Sequence, residues 1–378
     1  MKIRFNKPYI SNKELFAIGK VLKSGKISGN CGTGQKVETY LEKILEIKHA
    51  FLTTSCTHAL EMSMQILNLK EGDEVILPSF NFVSSANAIL KVKAKPVFVE
   101  IENNTLNIDP DCIEKSITNK TRVIICVHYA GRPCAMGRIQ EIAKRNNIFL
   151  VEDAAQAIGS KYQENFLGTI GDIGCFSFHG TKNLTCGEGG VFLTDNHNFA
   201  KKAEIIREKG TNRTEFLKGK VDKYTWHDVG SSYVLSDILA VMLYEQIKKM
   251  KKIIKMRKEV YLNYSQQLSK FSSSGQIIVP DLPKDEYNWH SFYFRIKEKK
   301  GKRDSLIRSL RKKGIEATHH FIPLHTSPYA KLKLGYKKGD FPITEKASDT
   351  IIRLPVYPDL PFSSQKFIIK TLGKILKN

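Results

Sequence analysis

Residues 122–156 read RVIICVHYAGRPCAMGRIQEIAKRNNIFLVEDAAQ. Two short apolar runs, RVIICVHYA and IFLVEDA, flank MGRIQEIAKRNN, whose apolar residues recur at helical spacing. The runs do not alternate with polar residues, so they read as strands covered on both faces. The unit is strand–helix–strand. The same alternation extends from about 50 to 195: AFLTT leads into THALEMSMQILNL, EVILPS into SSANAIL, and KPVFVEI into DPDCIEKSI. CFSFH and GVFLTD add two more strands. The expectation is an α/β fold with a mostly parallel central sheet. Ligands of such sheets lie at the carboxyl ends of the strands.

The character changes near 245. Residues 1–245 form the expected large domain, and 246–378 a smaller α+β domain. No Gly/Pro/Ser-rich linker separates them, so one continuous helix is expected across 245–255. SFYFRIKEKKGKRDSLIRSLRKKGIEATHHFIPLH then reads as strand, helix and strand, with further helix to the end.

Composition narrows the class. The chain has 378 residues, 41% hydrophobic and 26% charged, as in ordinary globular proteins. No run of 18 or more apolar residues predicts a membrane span. MKIRFNKPYI lacks an apolar signal core, so a cytoplasmic protein is expected. Seven cysteines without a C-x-x-C pair argue against a disulfide framework or a zinc ribbon. The formal net charge of +22 suits an anionic partner. Its densest clusters are QIKKMKKIIKMRKEV (246–260), KEKKGKR (297–303) and KLKLGYKKGD (331–340). Ile247, Met250, Ile254 and Val260 place the first on an amphipathic helix with a solvated basic face. No nucleic-acid-binding motif accompanies it.

Three strand ends carry chemistry. In TTSCTHAL (53–60), Ser55 and Thr57 stand where a helix begins, which suits either N-capping or anion binding. In IFLVEDAAQ (148–156), an apolar strand ends in Glu152 and Asp153, and a buried carboxylate needs a partner. In FSFHGTKNLTCGEGG (176–190), Lys182 sits in a glycine-rich loop after Ser177. A lysine in a partly dry pocket can act as a nucleophile toward a carbonyl. An anion site, a carboxylate and an amine together meet the needs of pyridoxal phosphate.

The segments SFHGTKNLTCGEGG, VEDAAQAIGSKYQ, GDEVILPSFNFVSSANAIL, HYAGRPCAM and IPLH resemble, in order and over nearly the whole chain, the DegT/DnrJ/EryC1/StrS sugar aminotransferases. The resemblance implies a pyridoxal-phosphate-dependent enzyme of fold type I acting on a nucleotide-linked ketosugar. It implies that Lys182 holds the cofactor covalently and then carries the proton, that Asp153 pairs with the pyridine nitrogen, and that Gln156 lies near O3′. Phe82 would stack on the ring, and Ser55, Cys56, Thr57 and Ser177 would bind the phosphate. Glu188, His179 and His325 become substrate-contact candidates. L-Glutamate is the implied amine donor, and a homodimer with the active site at its interface the implied assembly. TTSCTHALEMS, IIREKGTNRTEF and VDKYTWHDVGSSYVLSD resemble most the branch making dTDP-4-amino-4,6-dideoxygalactose, a precursor of surface polysaccharide. The C4 epimer, a UDP-linked or a 3-keto substrate stays open.

Two departures stand out. Many members carry G-Y-N-Y-R-M-S where residues 230–236 read GSSYVLS, so Ser232 takes the place of an asparagine that reaches the neighbouring subunit's phosphate. Phe321 stands where tyrosine is common. Two rivals are disfavoured by Lys182. A sugar dehydratase of the same family has histidine there, and a non-catalytic polyanion-binding regulator needs no such lysine. His319, His320 and His325 lack an acidic or thiol partner at ligand spacing, so no metal is expected. Trp226 and Trp289 are expected to be packing anchors.

Overall fold

The computed structural model describes residues 2–282, 284–297 and 300–377. Glu298 and Lys299, in the second basic cluster, lie outside them. The strands in chain order are β1 His49–Thr53, β2 Glu74–Pro78, β3 Lys95–Val99, β4 Thr121–Val127, β5 Phe149–Asp153, β6 Lys161–Tyr162, β7 Asn165–Phe166, β8 Ile173–Ser177, β9 Gly190–Thr194, β10 Ile277–Ile278, β11 Phe292–Ile296 and β12 Ile351–Leu354. Seven of them form one sheet in the order β1-β9-β8-β5-β4-β2-β3. β9 runs antiparallel to both β1 and β8, and the remaining neighbours are parallel.

The apolar runs are explained by burial on both faces. Val123 and Ile125 of β4 join one core with Val151, while Ile124 and Cys126 join another with Ile139 and Ile142 of the helix Met136–Arg145. Each such side chain removed from water contributes roughly 1.5–3 kcal/mol, so no position on these strands is left for a polar residue to occupy cheaply. Polar residues therefore gather at the strand ends, where the site is built.

The C-terminal half has its own core around the antiparallel sheet β10-β11-β12, where Tyr261, Tyr264, Phe292, Phe294, Ile368 and Leu372 meet. The N-terminal segment returns to this half: Ile3 bridges Ile315 and is buried in that core. The expected continuous helix is corrected. One helix, Asp237–Lys248, ends at Lys249 and a second, Met250–Ser273, begins beyond it. Lys249 has φ −99° and ψ 3°, outside the helical range, and its ammonium is held by Glu14 of the N-terminal helix. The second helix still ties the halves together, with Ile253 in the core beneath the large sheet and Val260 in the smaller one.

A second expectation is also corrected. After β11 and the helix Lys300–Lys312, residues 317–327 form no strand beyond a single bridge from Thr318 to Arg353. Pro323 and Pro328 cannot donate to a ladder, and the third strand of the small sheet comes later, at β12. Trp289 is buried as expected, but Trp226 is 77% exposed. It lies in a segment without regular structure, where its indole nitrogen donates to the Asp228 carbonyl.

Candidate active site

The carboxyl ends of β4, β5 and β8 and the N-terminus of the helix Cys56–Ile66 open onto one cavity of about 410 Å³. Ser55, Cys56, Thr57, Phe82, Asp153, Gln156, Ser177, His179, Lys182 and Glu188 all line it. Ten of the predicted positions, scattered over more than a hundred residues of sequence, therefore share one space.

Asp153 and Glu152 take opposite faces of β5, because successive strand residues point to opposite sides. Glu152 is fully buried away from the cavity. It accepts hydrogen bonds from the backbone N–H of Gly168, Ile170 and Gly171 at 2.6–2.7 Å and pairs with His128 Nε2 at 2.8 Å. Burial opposes the charge on His128, but Cys134 and Glu152 outweigh it and push its pKa up to about 10. Glu152 is structural. Asp153 faces the cavity and accepts from the Ser85 hydroxyl at 2.8 Å, which in turn accepts from the Asn81 amide at 2.9 Å. This relay holds the carboxylate in one orientation with neutral donors only. Neither Asn81 nor Ser85 was found by sequence reasoning, although both lie in FNFVSS beside Phe82.

Lys182 is held by a tight turn. Its backbone N–H donates to His179 O at 2.9 Å, and Gly180 N–H donates to Gly187 O at 2.8 Å. Gly187 takes φ 94°, which a side chain would strain. Lys182 is half-buried as a residue, yet its amine end is enclosed by protein and Nζ has no hydrogen-bond partner among the described residues. Burial lowers its pKa from 10.5, with Arg353 adding to the effect and Cys56 and Asp153 opposing it. The amine is thus poised toward its neutral, nucleophilic form.

At the helix N-terminus, Ser55 has extended backbone and its hydroxyl accepts from His58 N–H at 3.1 Å. That cap leaves the N–H groups of Cys56 and Thr57 for an anion. Gly190 lies directly behind them. A Cβ there would meet Cys56 N at 2.4 Å and the Ser55 carbonyl oxygen at 2.5 Å, so only glycine lets β9 approach this cradle. Gln156 Oε1 is fixed by Ala130 N–H at 2.8 Å. Phe82 is 60% exposed at the cavity mouth. His179 and Glu188 form a loose exposed pair at 3.5 Å on the rim.

Two predicted residues are not brought into the cavity. His325 is fully buried elsewhere, its ring between Ser79 Oγ at 2.6 Å and Glu345 Oε1 at 3.0 Å, and it cannot touch a ligand in the cavity. The segment 319–325 turns through the bend Leu324–Thr326, which sends His320 and Phe321 to the cavity and His325 into the core. Ser232 is exposed and bridges Glu208, outside this chain's cavity.

Part of the cavity lining was not foreseen. Arg257, His290, Ser291, His320 and Arg353 belong to it. Both guanidiniums are nearly fully buried, and neither touches a carboxylate among the described residues. Arg353 donates to Ser291 Oγ at 2.8 Å and to His320, and Arg257 donates to the carbonyls of Trp289 and His290. Burial without a counter-charge brings Arg353 to about 10 and Arg257 to about 9.

The donor set fits pyridoxal phosphate: a partnerless amine for its aldehyde, a cavity-facing carboxylate for its ring nitrogen, and a capped helix end behind Gly190 for its phosphate. A fold of this type around such a site defines a pyridoxal-phosphate-dependent aminotransferase of fold type I. The chain belongs to the DegT/DnrJ/EryC1/StrS aminotransferase family, whose model matches residues 8–373. It is 31% identical to the spore coat polysaccharide biosynthesis protein SpsC of Bacillus subtilis over 383 aligned residues, covering 99% of this chain and 97% of that protein. PseC of Helicobacter pylori, an aminotransferase involved in pseudoaminic acid biosynthesis, superposes with a TM-score of 0.92 at 25% identity, covering 100% of both chains. The PLP form of Spr1654 from Streptococcus pneumoniae superposes with a TM-score of 0.91 at 26% identity, covering 100% of this chain and 99% of that one.

Proposed function

We propose that this enzyme transfers an amino group from L-glutamate to C4 of a nucleotide-linked 4-keto-6-deoxy sugar. The substrate is dTDP-4-keto-6-deoxyglucose and the product dTDP-4-amino-4,6-dideoxygalactose, used for surface polysaccharide. The protein works as a cytoplasmic homodimer. The observation that carries the reading is the pair of buried guanidiniums, Arg353 and Arg257, lining the same cavity as Lys182 without an acidic partner among the described residues. A buried cation with no protein carboxylate beside it is costly, and a ligand that brings the opposite charge into the cavity offsets that cost. The glutamate carboxylate is that charge.

When bound, pyridoxal phosphate supplies an aldehyde and an electron-withdrawing ring that stabilises negative charge at the reacting carbon. The chain does the rest. Asp153, held by Ser85, keeps the ring nitrogen protonated. Lys182 Nζ, which has no hydrogen-bond partner among the described residues, would take the proton from the donor's Cα and later deliver one to C4 of the sugar. Its lowered pKa favours the neutral amine that the first of these transfers needs. Arg353 fixes the donor's carboxylate so that the Cα proton faces Lys182. SpsC, named for spore coat polysaccharide biosynthesis, and PseC, an aminotransferase of pseudoaminic acid biosynthesis, support the substrate class. Seven unpaired thiols suit a reducing compartment. Exposed Trp226, with Ser232 nearby in sequence, supports a partner subunit completing the site.

The test is to load the protein with pyridoxamine phosphate, add dTDP-4-keto-6-deoxyglucose and follow the visible absorbance of the PLP form. Its return, with NMR showing the galacto configuration at C4, is the expected result. No return, in a protein that glutamate does convert to the pyridoxamine form, overturns the assigned sugar while leaving the transaminase.

A further inference from the structure

A second groove, of about 660 Å³, lies in the C-terminal half between the helices Lys300–Lys312 and Pro342–Thr350 and the segment 319–326. None of its lining residues lines the cofactor cavity. Its acids are already engaged. Asp304 accepts from Arg303 Nε at 2.8 Å, and Glu345 accepts from His325 Nε2 at 3.0 Å and from Gly339 N–H. Asp349 also has a partner. Arg303 is buried and turned onto the Ser348 carbonyl.

What remains toward solvent is cationic. Arg308 and Lys331, both exposed, make no side-chain hydrogen bond or ion pair among the described residues. Arg311 uses only Nε, on the Ala317 carbonyl at 2.9 Å. Lys338 shares Glu345 with His325. Cations gathered around one concave surface repel one another unless an anion enters. Beside them the wall is apolar: Ile322 is 69% exposed and Ile307 and Pro323 complete it. A multiply charged group set against an apolar surface is the chemistry of a nucleotide rather than of a free inorganic ion.

We propose that this groove binds a nucleoside diphosphate, the diphosphate on Arg308, Arg311 and Lys331 and the base against Ile322. The segment that walls the groove with His319 and Ile322 walls the cofactor cavity with His320 and Phe321. An occupied groove therefore restrains one side of the active site. The inference rests on the groove and not on the sugar assigned above.

The test is calorimetric titration of the PLP-loaded protein with UDP and with inorganic pyrophosphate at about 150 mM salt, where weak surface attraction is screened. Saturable UDP binding is expected, weakened about tenfold or more by the double variant Arg308→Ser/Lys331→Ser with cofactor absorbance and melting temperature unchanged. Ile322→Ser should weaken UDP and leave pyrophosphate unaltered. UDP binding that the double variant does not weaken, or none that saturates, overturns the proposal. The source of the ligand is read from the same variant. A raised KM for the sugar nucleotide identifies the substrate's own nucleotide in the groove, and an unchanged KM identifies a free nucleotide.

Discussion

A methyl group added to Gly190 would lie 2.5 Å from the carbonyl oxygen of Ser55, closer than real atoms approach. Strand β9 and the helix end proposed to bind phosphate are thus in backbone contact, and the glycine sets how near they come. Gly190→Ala must displace the N–H groups of Cys56 and Thr57. It is expected to destabilise the protein by about 1–3 kcal/mol, the usual cost of overpacking. Pyridoxal phosphate should bind about tenfold more weakly or worse, as read by fluorescence or absorbance titration.

Lys182→Met should reduce turnover by roughly 10³-fold or more, since both proton transfers lose their carrier. Folding should survive, because Nζ has no hydrogen-bond partner among the described residues to leave behind. The pH dependence has a definite sign. The folded protein holds Lys182 below its ordinary 10.5, so the unfolded chain binds the extra proton between the lowered value and 10.5. The stability of the cofactor-free wild type therefore rises through that window. Melting temperatures of wild type and Lys182→Met, measured without cofactor, should converge as pH approaches 10.5. A gap independent of pH would mean the amine is not desolvated.

The sequence discloses the site where chemistry and strand end coincide locally. Lys182, Asp153 and Ser55 each sit at the close of an apolar run, and the fold class follows from those same runs. Arg353 and Arg257 were hidden for different reasons. Arg257 lies in a basic helix read as solvated, although Ile253, Arg257, Val260, Tyr264 and Leu268 share the stripe that the structure buries. Its place on that stripe was the available signal. Arg353 interrupts the apolar run IIRLPVYP, another cue, but only tertiary pairing of β12 with β11 turns it toward the cavity. His325 went the other way, because a motif names a segment and not which of its side chains faces the ligand.

Arg353→Met is expected to raise the KM for L-glutamate about 10–100-fold, the equivalent of losing one charge-assisted hydrogen bond. Cofactor affinity should stay as it is, since Arg353 bonds to Ser291 and His320 and not to the helix end. Half-reaction kinetics with glutamate, followed in the visible spectrum, separate the two effects. An unchanged KM would remove Arg353 from donor binding.

Trp226 exposes its indole, a side-chain type enriched at interfaces between chains, and it is the place to test the proposed homodimer. If the proposed homodimer forms across this face, Trp226→Ser should shift it toward monomer in sedimentation velocity and lower cofactor occupancy in parallel. A stable dimer in the variant would move the interface elsewhere.

Glu14 links the N-terminal helix to the break between the two central helices, and its protonation should be visible in acid. It is fully buried, and burial alone would raise its pKa. The hydrogen bond from Lys249, with those from Ser11 and Gln246, outweighs burial and brings it down to about 2 from 4.5. Its contribution is complete above 4.5 and is lost as pH falls through 2. Glu14→Gln leaves Lys249 with the Ser11 hydroxyl but without its carboxylate, at the point where the chain passes between its two cores. Breaking a buried pair from one side costs about 3–5 kcal/mol. Denaturation at pH 7 should show that loss, and the difference from wild type should shrink as the pH drops from 4.5 toward 2. A difference that persists at pH 2 would assign the effect to packing of the helix rather than to the charge.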